Sequence, residues 1–468
     1  MASKLENLDA LFHPQSVAVV GASKNPGKLG FHVMKSLTQG GFEGELYPIN
    51  PGEDELFGVK AYSSLLNVPH DVDAAIVVLP AMAIPEIFRE CAAKGVKGIV
   101  LITAGFKEIE NELGGRLQDE IAALADEAGI PVIGPNTFGM VNLGASLNAS
   151  FTPEFSLVKN GGISLISQSG GMAHMLAFIA LEENVGLNKI IGVGNRCNID
   201  FADMLEYLAN DQSTQVIAMY VEGVDEPRSL MEAAREVRGR KAIAAYKVGR
   251  SQVSDQASQY HTGSLAGQYE IYRGAFKQAG VLSVSSLHEL LDTAKALDAC
   301  PIPEGNRVAI LSGQAGPGMA ASDVCEERGL ALATFSSGTQ ERIERALPPL
   351  ALRTNPVDMG PAWYSPEAIR EVADAALADE KVDGVVLCIA YASANVGAVE
   401  ALAEVLKVWG QRKPITCCLS APQEIWREGV ASLEEAGVPN YPTPERAAAA
   451  LGNLWRHRML TRRGLLDG

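Results

Sequence analysis

The chain has 468 residues, 47% of them hydrophobic and 20% charged, which predicts a folded protein with room for about two to four domains. Its net charge of −17 argues against nucleic-acid binding, so an anionic ligand needs local positive fields such as helix N-termini. There is neither a signal-peptide pattern nor an apolar run approaching the roughly 18 residues of a membrane span. The seven cysteines form no CxxC pair. We therefore expect a cytoplasmic protein that does not bind membranes.

Short β-branched runs alternate with helical patterns along almost the whole chain. Most runs are apolar on both faces, as expected for strands of a buried parallel sheet. This alternation predicts doubly wound α/β layers. The predicted strands include residues 16–20, 45–50, 74–79, 98–102, 163–166, 215–220, 242–247, 307–311 and 384–389.

Two segments interrupt the alternation of strand and helix patterns and are candidate domain boundaries. An aperiodic stretch follows GPNTFG at 134–139, and a Pro/Gly-rich linker occupies residues 299–307. We predict three domains, at residues 1–142, 143–299 and 300–468. Residues 163–173 and 308–320 each predict a strand, a Ser/Gly-rich turn and the start of a helix. The two segments are either an internal repeat or two unrelated turns of one common fold.

The first strand is followed by a Gly-rich turn, VAVVGASKNPGKLG at 17–30, that opens a helix. Such a turn binds anions through exposed N–H groups and the helix dipole. The turn lacks GxGxxG, and the second strand ends at Asn50 without the acid that binds the ribose of NAD. The sequence therefore disfavours an NAD-dependent oxidoreductase and favours another nucleotide, with CoA the obvious candidate.

The segment HTGSLAG, beginning at His261, combines a histidine with small residues on a predicted loop after a parallel strand. Imidazole is a nucleophile when a carboxylate fixes its tautomer, and Glu222, just past a strand end, is a candidate. A structural histidine and a solvated acid are the alternatives. Two predicted helix starts, SQSGG at 167–171 and QAGPG at 314–318, would stabilise a phosphoryl group on the ring. The sequence shows no metal-ligand constellation, P-loop or GxSxG motif.

Taken in order, these motifs resemble a known family. The chain resembles the α subunit of the ADP-forming acetyl-CoA synthetases and, over its first two domains, the α subunit of succinyl-CoA synthetase. The landmarks are VVGAS, LP at 79–80, ITAGF at 102–106, GPNTFG, SQSGG, VEG and HTGSLAG, followed by GPG, NPVDM and YPTPERA in the third domain.

The resemblance implies a Rossmann-like CoA-binding domain followed by two flavodoxin-like domains. It makes His261 the phosphorylated histidine and Glu222 its carboxylate partner. Phosphate would be bound by residues of the two helix starts: Ser167, Ser169, Gly170, Gly316 and Gly318. CoA would be bound by residues of four strand-end loops: Gly21, Ala22, Ser23, Leu79, Pro80, Ile102, Thr103 and Asn136.

The implied reaction is reversible: carboxylate, CoA and ATP give acyl-CoA, ADP and phosphate through phosphohistidine and acyl phosphate. Fused relatives carry an ATP-grasp domain that this sequence lacks. We therefore expect ATP or ADP with Mg²⁺ on a separate ATP-grasp β subunit, in a hetero-oligomer. The alternative is a non-catalytic regulatory protein that senses CoA or acyl-CoA on the same scaffold.

Departures from the family pattern bear on the acid and on CoA. The family's GPNC followed by Leu or Pro is here GPN followed by Thr137 and Phe138, and residues 195–201 read NRCNIDF. We expect the acyl pocket between these segments, and we expect it to accept acids other than acetate. Its predicted lining combines amides with aromatic bulk: Asn136, Phe138, Asn195 and Phe201. A CoA-binding lysine is replaced by Glu53, so Lys24 or Lys28 is expected to take its place.

Overall fold

The structure is a computed structural model that describes residues 4–109, 112–251, 253–254, 269–422 and 424–466. The chain divides into two compact units, Met1–Leu287 and His288–Gly468. Mostly parallel sheets are covered by helices in both, which confirms the predicted α/β class. Within the described ranges, no helix is both long and apolar enough to cross a membrane.

The first unit begins with a parallel sheet whose strand order is β2-β1-β5-β6-β7. Strand β1 is buried at every residue, as its apolar run predicts. The order reverses between β1 and β5, which opens a crevice at the carboxyl ends of these strands. The strands are β1 (Ser16–Val20), β2 (Glu45–Ile49), β5 (Ala74–Val77), β6 (Gly98–Leu101) and β7 (Val132–Ile133), with a ribbon of β3 (Glu55–Leu56) and β4 (Val59–Lys60). The helices are α1 (Lys4–Phe12), α2 (Leu29–Gln39), α3 (Ile84–Lys94) and α4 (Glu112–Ala128).

The second sheet of this unit has the order β14-β13-β12-β10-β11-β8-β9. It is parallel except at one edge, where β8 and β9 are antiparallel. The strands are β8 (Gly139–Asn142), β9 (Leu147–Ser150), β10 (Asn160–Ser167), β11 (Leu187–Gly192), β12 (Val216–Val221), β13 (Ala242–Lys247) and β14 (Leu282–Val284). The helices are α5 (Gly170–Glu182), α6 (Phe201–Asn210), α7 (Pro227–Val237) and α8 (Tyr269–Ala279). The next helix, α9 (Leu287–Ala299), begins at the last residue of this unit and otherwise belongs to the second.

The stretch after GPNTFG, interpreted as aperiodic, contains the strand β9. Its residues Asn148 and Ser150 are polar yet buried, because the Ser150 hydroxyl donates to Asn148 Oδ1 at 2.6 Å. An apolar-run criterion therefore could not find this strand. Strand β8 ends at the predicted boundary and pairs with the second sheet; the three-domain division stays a prediction.

The two sheets of the first unit share one hydrophobic core. Phe12 of α1 stacks on Tyr207 of α6, with ring centroids 4.8 Å apart. The side-chain amide of Asn142 donates to the Phe12 carbonyl oxygen at 3.0 Å. These contacts connect the first sheet's covering helix to the second sheet, so the loops of both sheets are held in one compact unit.

The second unit contains the third parallel sheet, of order β16-β15-β18-β19 with β17 beside β15. The strands are β15 (Arg307–Ser312), β16 (Ala331–Leu332), β17 (Val357–Asp358), β18 (Gly384–Ala390) and β19 (Ile415–Ser420). The helices are α10 (Ala315–Glu327), α11 (Ser337–Ala346), α12 (Pro366–Ala378), α13 (Ala398–Trp409), α14 (Arg427–Glu435) and α15 (Pro444–Leu466).

The two Ser/Gly-rich turns have the same local structure. The Ser167 hydroxyl at the end of β10 donates to the Ser169 carbonyl oxygen at 2.7 Å. At the end of β15, the Ser312 hydroxyl donates to the Gln314 carbonyl oxygen at 2.5 Å. Each accepting residue is the N-cap of the following helix. The predicted strand, turn and helix start are therefore present at both places.

Candidate active site

Loops at the carboxyl edge of the first sheet are joined in a row by hydrogen bonds. The Asn50 side chain donates to the Ala22 carbonyl oxygen at 2.8 Å, and the Thr103 hydroxyl donates to the Leu79 carbonyl oxygen at 2.7 Å. The Asn136 backbone N–H donates to the Thr103 carbonyl oxygen at 2.8 Å. This edge is where parallel α/β sheets bind ligands. The predicted CoA-binding loops after β1, β5, β6 and β7 therefore lie along one edge.

Two glycines allow the first of these loops to pack closely. Gly21 has φ of +94°, and a Cβ there would lie 2.6 Å from the Val78 carbonyl oxygen. A Cβ on Gly30, in the first turn of α2, would lie 2.0 Å from the Gly21 carbonyl oxygen. Ala22 and Ser23 are buried between these contacts. The N-terminal turn of α2 is thus held against the loop that is predicted to bind phosphate.

The predicted replacement cations differ in their surroundings. The Lys24 ammonium lies 2.8 Å from a carboxylate oxygen of Glu53. Lys28 is exposed and occupies the N-cap position of α2. A phosphate bound by Lys24 would compete with Glu53, whereas Lys28 lies next to the positive end of the helix.

A loop between β11 and α6 joins the two sheet edges. The Asn195 backbone N–H donates to the Pro135 carbonyl oxygen at 2.9 Å, and Val193 N–H donates to the Ser167 carbonyl oxygen at 3.0 Å. The Asn136 side-chain amide also donates to Asn195 Oδ1 at 3.2 Å. Helix α6 begins directly after this loop because Asp200 and Asp203 form a capping box. The proposed CoA edge and phosphoryl edge are therefore contiguous.

The predicted acyl-pocket residues are placed differently. Asn136 and Asn195 are half-buried and hydrogen-bonded to each other. Phe138 is only 1% exposed, with its ring 5.5 Å from Phe155, and Phe201 is fully buried at the start of α6. The two amides are therefore brought together, while both rings lie within the core. Contact between these rings and a substrate stays a prediction.

Thr137, found where the family has cysteine, has a structural contact. Its hydroxyl donates to the Gly192 carbonyl oxygen at 2.7 Å. A Cβ on Gly192 would lie 2.2 Å from the same hydroxyl oxygen. Thr137 therefore fixes the GPNTFG loop against the end of β11.

The SQSGG loop and Glu222 lie together at the carboxyl edge of the second sheet. Ser167 is buried, while Ser169 and Gly170 are half-buried at the start of α5. Ser169 is the N-cap, and its side chain makes no capping bond to the helix. Glu222 follows β12 and is 8% exposed. The edge thus combines a helix N-terminus with a carboxylate.

Gln168 and Arg196 hold the loop that carries Glu222. Gln168 Oε1 accepts from the backbone N–H groups of Glu222 and Gly223, at 2.9 and 3.1 Å. The buried Arg196 guanidinium donates to the Gly223 carbonyl oxygen at 2.7 Å and lies 2.8 Å from an Asp225 carboxylate oxygen. Sequence reasoning missed both residues. Gln168 lies within SQSGG and Arg196 within NRCNIDF, so the positions of both residues were usable signals.

Ionisable side chains near Glu222 are strongly affected by burial. Burial raises the pKa of the Tyr220 hydroxyl, and its hydrogen bond and charge interaction with Glu222 raise it further. Burial also raises the pKa of Asp200, although the neighbouring Arg196 works against this rise. Tyr220 therefore remains a neutral donor for the Glu222 carboxylate at neutral pH.

His261 and the rest of HTGSLAG lie outside the described residues. The strand that leads towards them, β13, ends at the buried Lys247, whose ammonium lies 4.7 Å from the centre of the Tyr272 ring. In the second unit, Gly316 and Gly318 lie in the first turn of α10. Among the described residues, no group of three His, Cys, Asp or Glu side chains could hold a metal ion.

Glu108 is a further residue at this edge that sequence reasoning did not identify. Its carboxylate accepts from the Gly105 and Phe106 N–H groups and from Asn195 Nδ2. Gln118 of α4 also accepts from Asn195 Nδ2, at 3.1 Å. No local pattern relates these residues, since they come from separate parts of the chain.

Three family models match the chain in order. They are described as "CoA binding domain" at residues 15–142, "Succinyl-CoA ligase like flavodoxin domain" at 160–297 and "Ligase-CoA domain" at 308–463. Together with the two contiguous loop edges, these matches define the class: an acid–thiol ligase of the ADP-forming acyl-CoA synthetase type.

Similar proteins identify the family within this class. "Acetate--CoA ligase [ADP-forming] II subunit alpha" of Pyrococcus furiosus is 39% identical, covering 95% of this chain and 96% of the relative. "Acetate--CoA ligase [ADP-forming] I subunit alpha" of the same organism is also 39% identical, covering 96% of this chain and 97% of the relative. The structure of acetyl-coenzyme A synthetase 1 from Ca. Korarchaeum cryptofilum, in complex with phosphate and ADP, matches with a TM-score of 0.91 and 35% identity over 98% of both chains. The chain belongs to the family of α subunits of ADP-forming acetate–CoA ligases. The alternative of a regulatory sensor is not supported.

Proposed function

We propose that the chain binds CoA along the loop row of its first sheet and carries a phosphoryl group on His261 during reversible acyl-CoA synthesis. The observation that carries this proposal is the hydrogen-bonded connection from Asn136 through the Asn195 loop to Ser167. It makes the proposed thiol edge and phosphoryl edge neighbours within one compact unit. An acyl phosphate formed at the second edge would then be within reach of a thiol at the first.

The proposed chemistry has three balanced steps. An imidazole nitrogen of His261 attacks the terminal phosphorus of ATP, forming a P–N bond and releasing ADP. A carboxylate oxygen then attacks the same phosphorus, forming acyl phosphate and freeing the imidazole. Finally, the CoA thiol loses its proton, its sulfur attacks the acyl carbon, and phosphate leaves with the electron pair of the C–O bond.

The residue roles follow from charge and hydrogen-bonding capacity. Glu222 would orient the imidazole, and the N-terminal turn of α5, with Ser167, Ser169 and Gly170, would stabilise the phosphoryl oxygens. Gly316 and Gly318 of α10 would provide a second helix start. The predicted CoA residues are those of the loop row: Gly21, Ala22, Ser23, Leu79, Pro80, Ile102, Thr103 and Asn136. Phe138 and Phe201 would support the acyl pocket from within the core.

We further propose an ATP-grasp β subunit that supplies ATP with Mg²⁺, in a hetero-oligomer. The designation of the relatives as α subunits supports such a partner. The acid is proposed to be acetate or another small carboxylic acid.

The test is phosphoryl transfer to His261 from γ-labelled ATP in the assembled enzyme. Acid-labile, base-stable label should map to the peptide that contains His261, and His261→Ala should abolish both the label and acyl-CoA synthesis. His288→Ala, which changes another histidine at the start of α9, is the matched control. Equal labelling and activity in wild type and His261→Ala would refute the proposal. Mapping the peptide excludes phosphohistidine on the partner.

A further inference from the structure

Glu108 is fixed at the junction of the two sheet edges. Its Oε1 accepts from the Gly105 N–H at 2.5 Å and from the Phe106 N–H at 3.2 Å. Its Oε2 also accepts from the Phe106 N–H, at 3.2 Å, and faces the Asn195 side chain. A carboxylate has acceptor oxygens and no hydrogen to donate. The group that meets Oε2 must therefore be a donor.

This requirement sets the orientation of the Asn195 amide. Asn195 Nδ2 donates to Glu108 Oε2 at 2.5 Å and to Gln118 Oε1 at 3.1 Å. The Gln118 oxygen is itself identified by the Lys107 backbone N–H, which donates to it at 3.3 Å. Both hydrogens of the Asn195 amide are thus used, and its oxygen is directed towards Asn136.

The orientation is passed on to Asn136. Its Nδ2 donates to Asn195 Oδ1 at 3.2 Å, so its own Oδ1 lies on the other side of the amide. Within the described ranges, no residue donates to this oxygen. The Asn136 backbone has φ of +57°, and its N–H donates to Thr103 in the loop row. The residue is half-buried and held at the proposed CoA edge.

We propose that Glu108 is a positioning residue that makes Asn136 present a hydrogen-bond acceptor to CoA. This inference rests on the proposed function. On the pantetheine arm of CoA, the groups that can donate are the two amide N–H groups, the hydroxyl and the thiol. The role differs from the predicted lining of the acyl pocket by Asn195, because both hydrogens of that amide are already donated to Glu108 and Gln118.

Glu108→Gln should reverse the orientation of the Asn195 and Asn136 side-chain amides. The single oxygen of glutamine can keep the bond from Gly105 and one of the two 3.2 Å contacts of the Phe106 N–H, which places its NH₂ against Asn195. Asn195 then turns over, and Asn136 follows and presents NH₂ to CoA. Gln118 must turn with them, because its oxygen would otherwise face the Asn195 oxygen, and its NH₂ then meets the Lys107 N–H in place of the 3.3 Å bond. We expect CoA binding to weaken about 10- to 100-fold, since a donor then meets a donor.

Two double variants test the polarity itself. In Glu108→Gln/Asn136→Asp, the inverted Asn195 donates to an aspartate that again offers an acceptor. In Glu108→Gln/Asn195→Asp, the carboxylate and the amide exchange places, so Asn136 keeps its original orientation. Both should bind CoA within about threefold of wild type, whereas Asn136→Asp alone should bind weakly because two oxygens face each other.

The experiment measures CoA affinity by calorimetry on the full chain, with unfolding temperature as a check of folding. Asp126→Asn is the matched control: its carboxylate accepts from Asn198 at 3.0 Å, a similar carboxylate–amide pair that is not connected to Asn136. It should leave CoA affinity unchanged.

The outcomes separate the inference from the proposed function. Recovery of CoA affinity in either double variant supports the inference. Glu108→Gln/Asn195→Asp tests it even if Glu108→Gln alone does not fold. Wild-type CoA binding with no recovery in folded double variants overturns the inference alone. A wild-type chain that binds no CoA overturns both.

Discussion

The Gln168 side-chain oxygen accepts a hydrogen bond from the backbone N–H of Glu222 at 2.9 Å, across 54 residues of sequence. The next N–H, of Gly223, donates to the same oxygen at 3.1 Å. One buried side chain thus fixes both the loop that begins α5 and the loop that carries the proposed partner of His261.

Gln168→Leu should destabilise the chain and slow phosphorylation of His261. Two buried N–H groups would lose their acceptor, at a cost of about 2–4 kcal/mol in the free energy of unfolding. Urea unfolding and the rate of label transfer from ATP measure the two effects, and CoA affinity should not change. Gln215→Leu, which removes an exposed glutamine amide, is the control. Unchanged stability and labelling would contradict this role.

Gly30→Ala should weaken both folding and CoA binding. Its Cβ would lie 2.0 Å from the Gly21 carbonyl oxygen, so α2 would have to move from the loop it supports. We expect a loss of about 1–3 kcal/mol or more in the free energy of unfolding. Gly115→Ala is the matched control, since its Cβ would have no neighbour within 4 Å, and it should stabilise α4 by about 0.5–1 kcal/mol. Equal effects of the two changes would refute the packing argument.

Phe138→Leu should lower the free energy of unfolding. The ring is packed 5.5 Å from Phe155 and 5.7 Å from His174, and losing it should cost about 1–2 kcal/mol. Calorimetric unfolding measures this loss. Relative kcat/KM values across a panel of carboxylates then separate two roles: an unchanged ratio means support from the core, and a changed ratio means that the residue shapes the acyl pocket.

Lowering the pH should reduce the free energy of unfolding because Asp211 becomes protonated. Burial would raise its pKa, but hydrogen bonds from Lys189, Thr214 and Ser213 lower it from 3.8 to about 2. Because the folded-state pKa is the lower one, the stabilisation is present above about pH 4 and is lost as pH falls towards 2. After discounting for partial exposure, we expect roughly 1–2 kcal/mol.

Unfolding free energies measured from pH 5 to pH 2 test this effect. Asp211→Asn should flatten the pH dependence in that window, whereas Asp119→Asn, at an exposed position on α4, should leave it unchanged. The same slope in wild type and Asp211→Asn would exclude the effect.

The purified chain should bind CoA and make no acyl-CoA from ATP until an ATP-grasp partner is added. Calorimetry should detect CoA binding without comparable ATP binding. ATP-dependent synthesis by the chain alone, free of other subunits, would contradict the proposed division of labour.

Sequence patterns predicted the doubly wound layers because they report local burial. The apolar run at residues 16–20 coincides with β1, which is buried along its whole length. The strand β9 was missed because two of its four buried residues, Asn148 and Ser150, are polar and are satisfied by hydrogen bonds rather than by apolar contact. Periodicity detects the first kind of burial and not the second.

The sequence by itself determined the α/β class, the glycine-rich loops and the grouping of SQSGG with Glu222, since small residues and strand ends are local signals. Only the tertiary structure decided which side chains join these loops. Glu108 and Asn195 are 87 residues apart and hydrogen-bond only because two sheets bring the ends of β6 and β11 together. The order of the strands decides which loops lie next to each other. That order depends on packing across the whole unit rather than on any local run of residues.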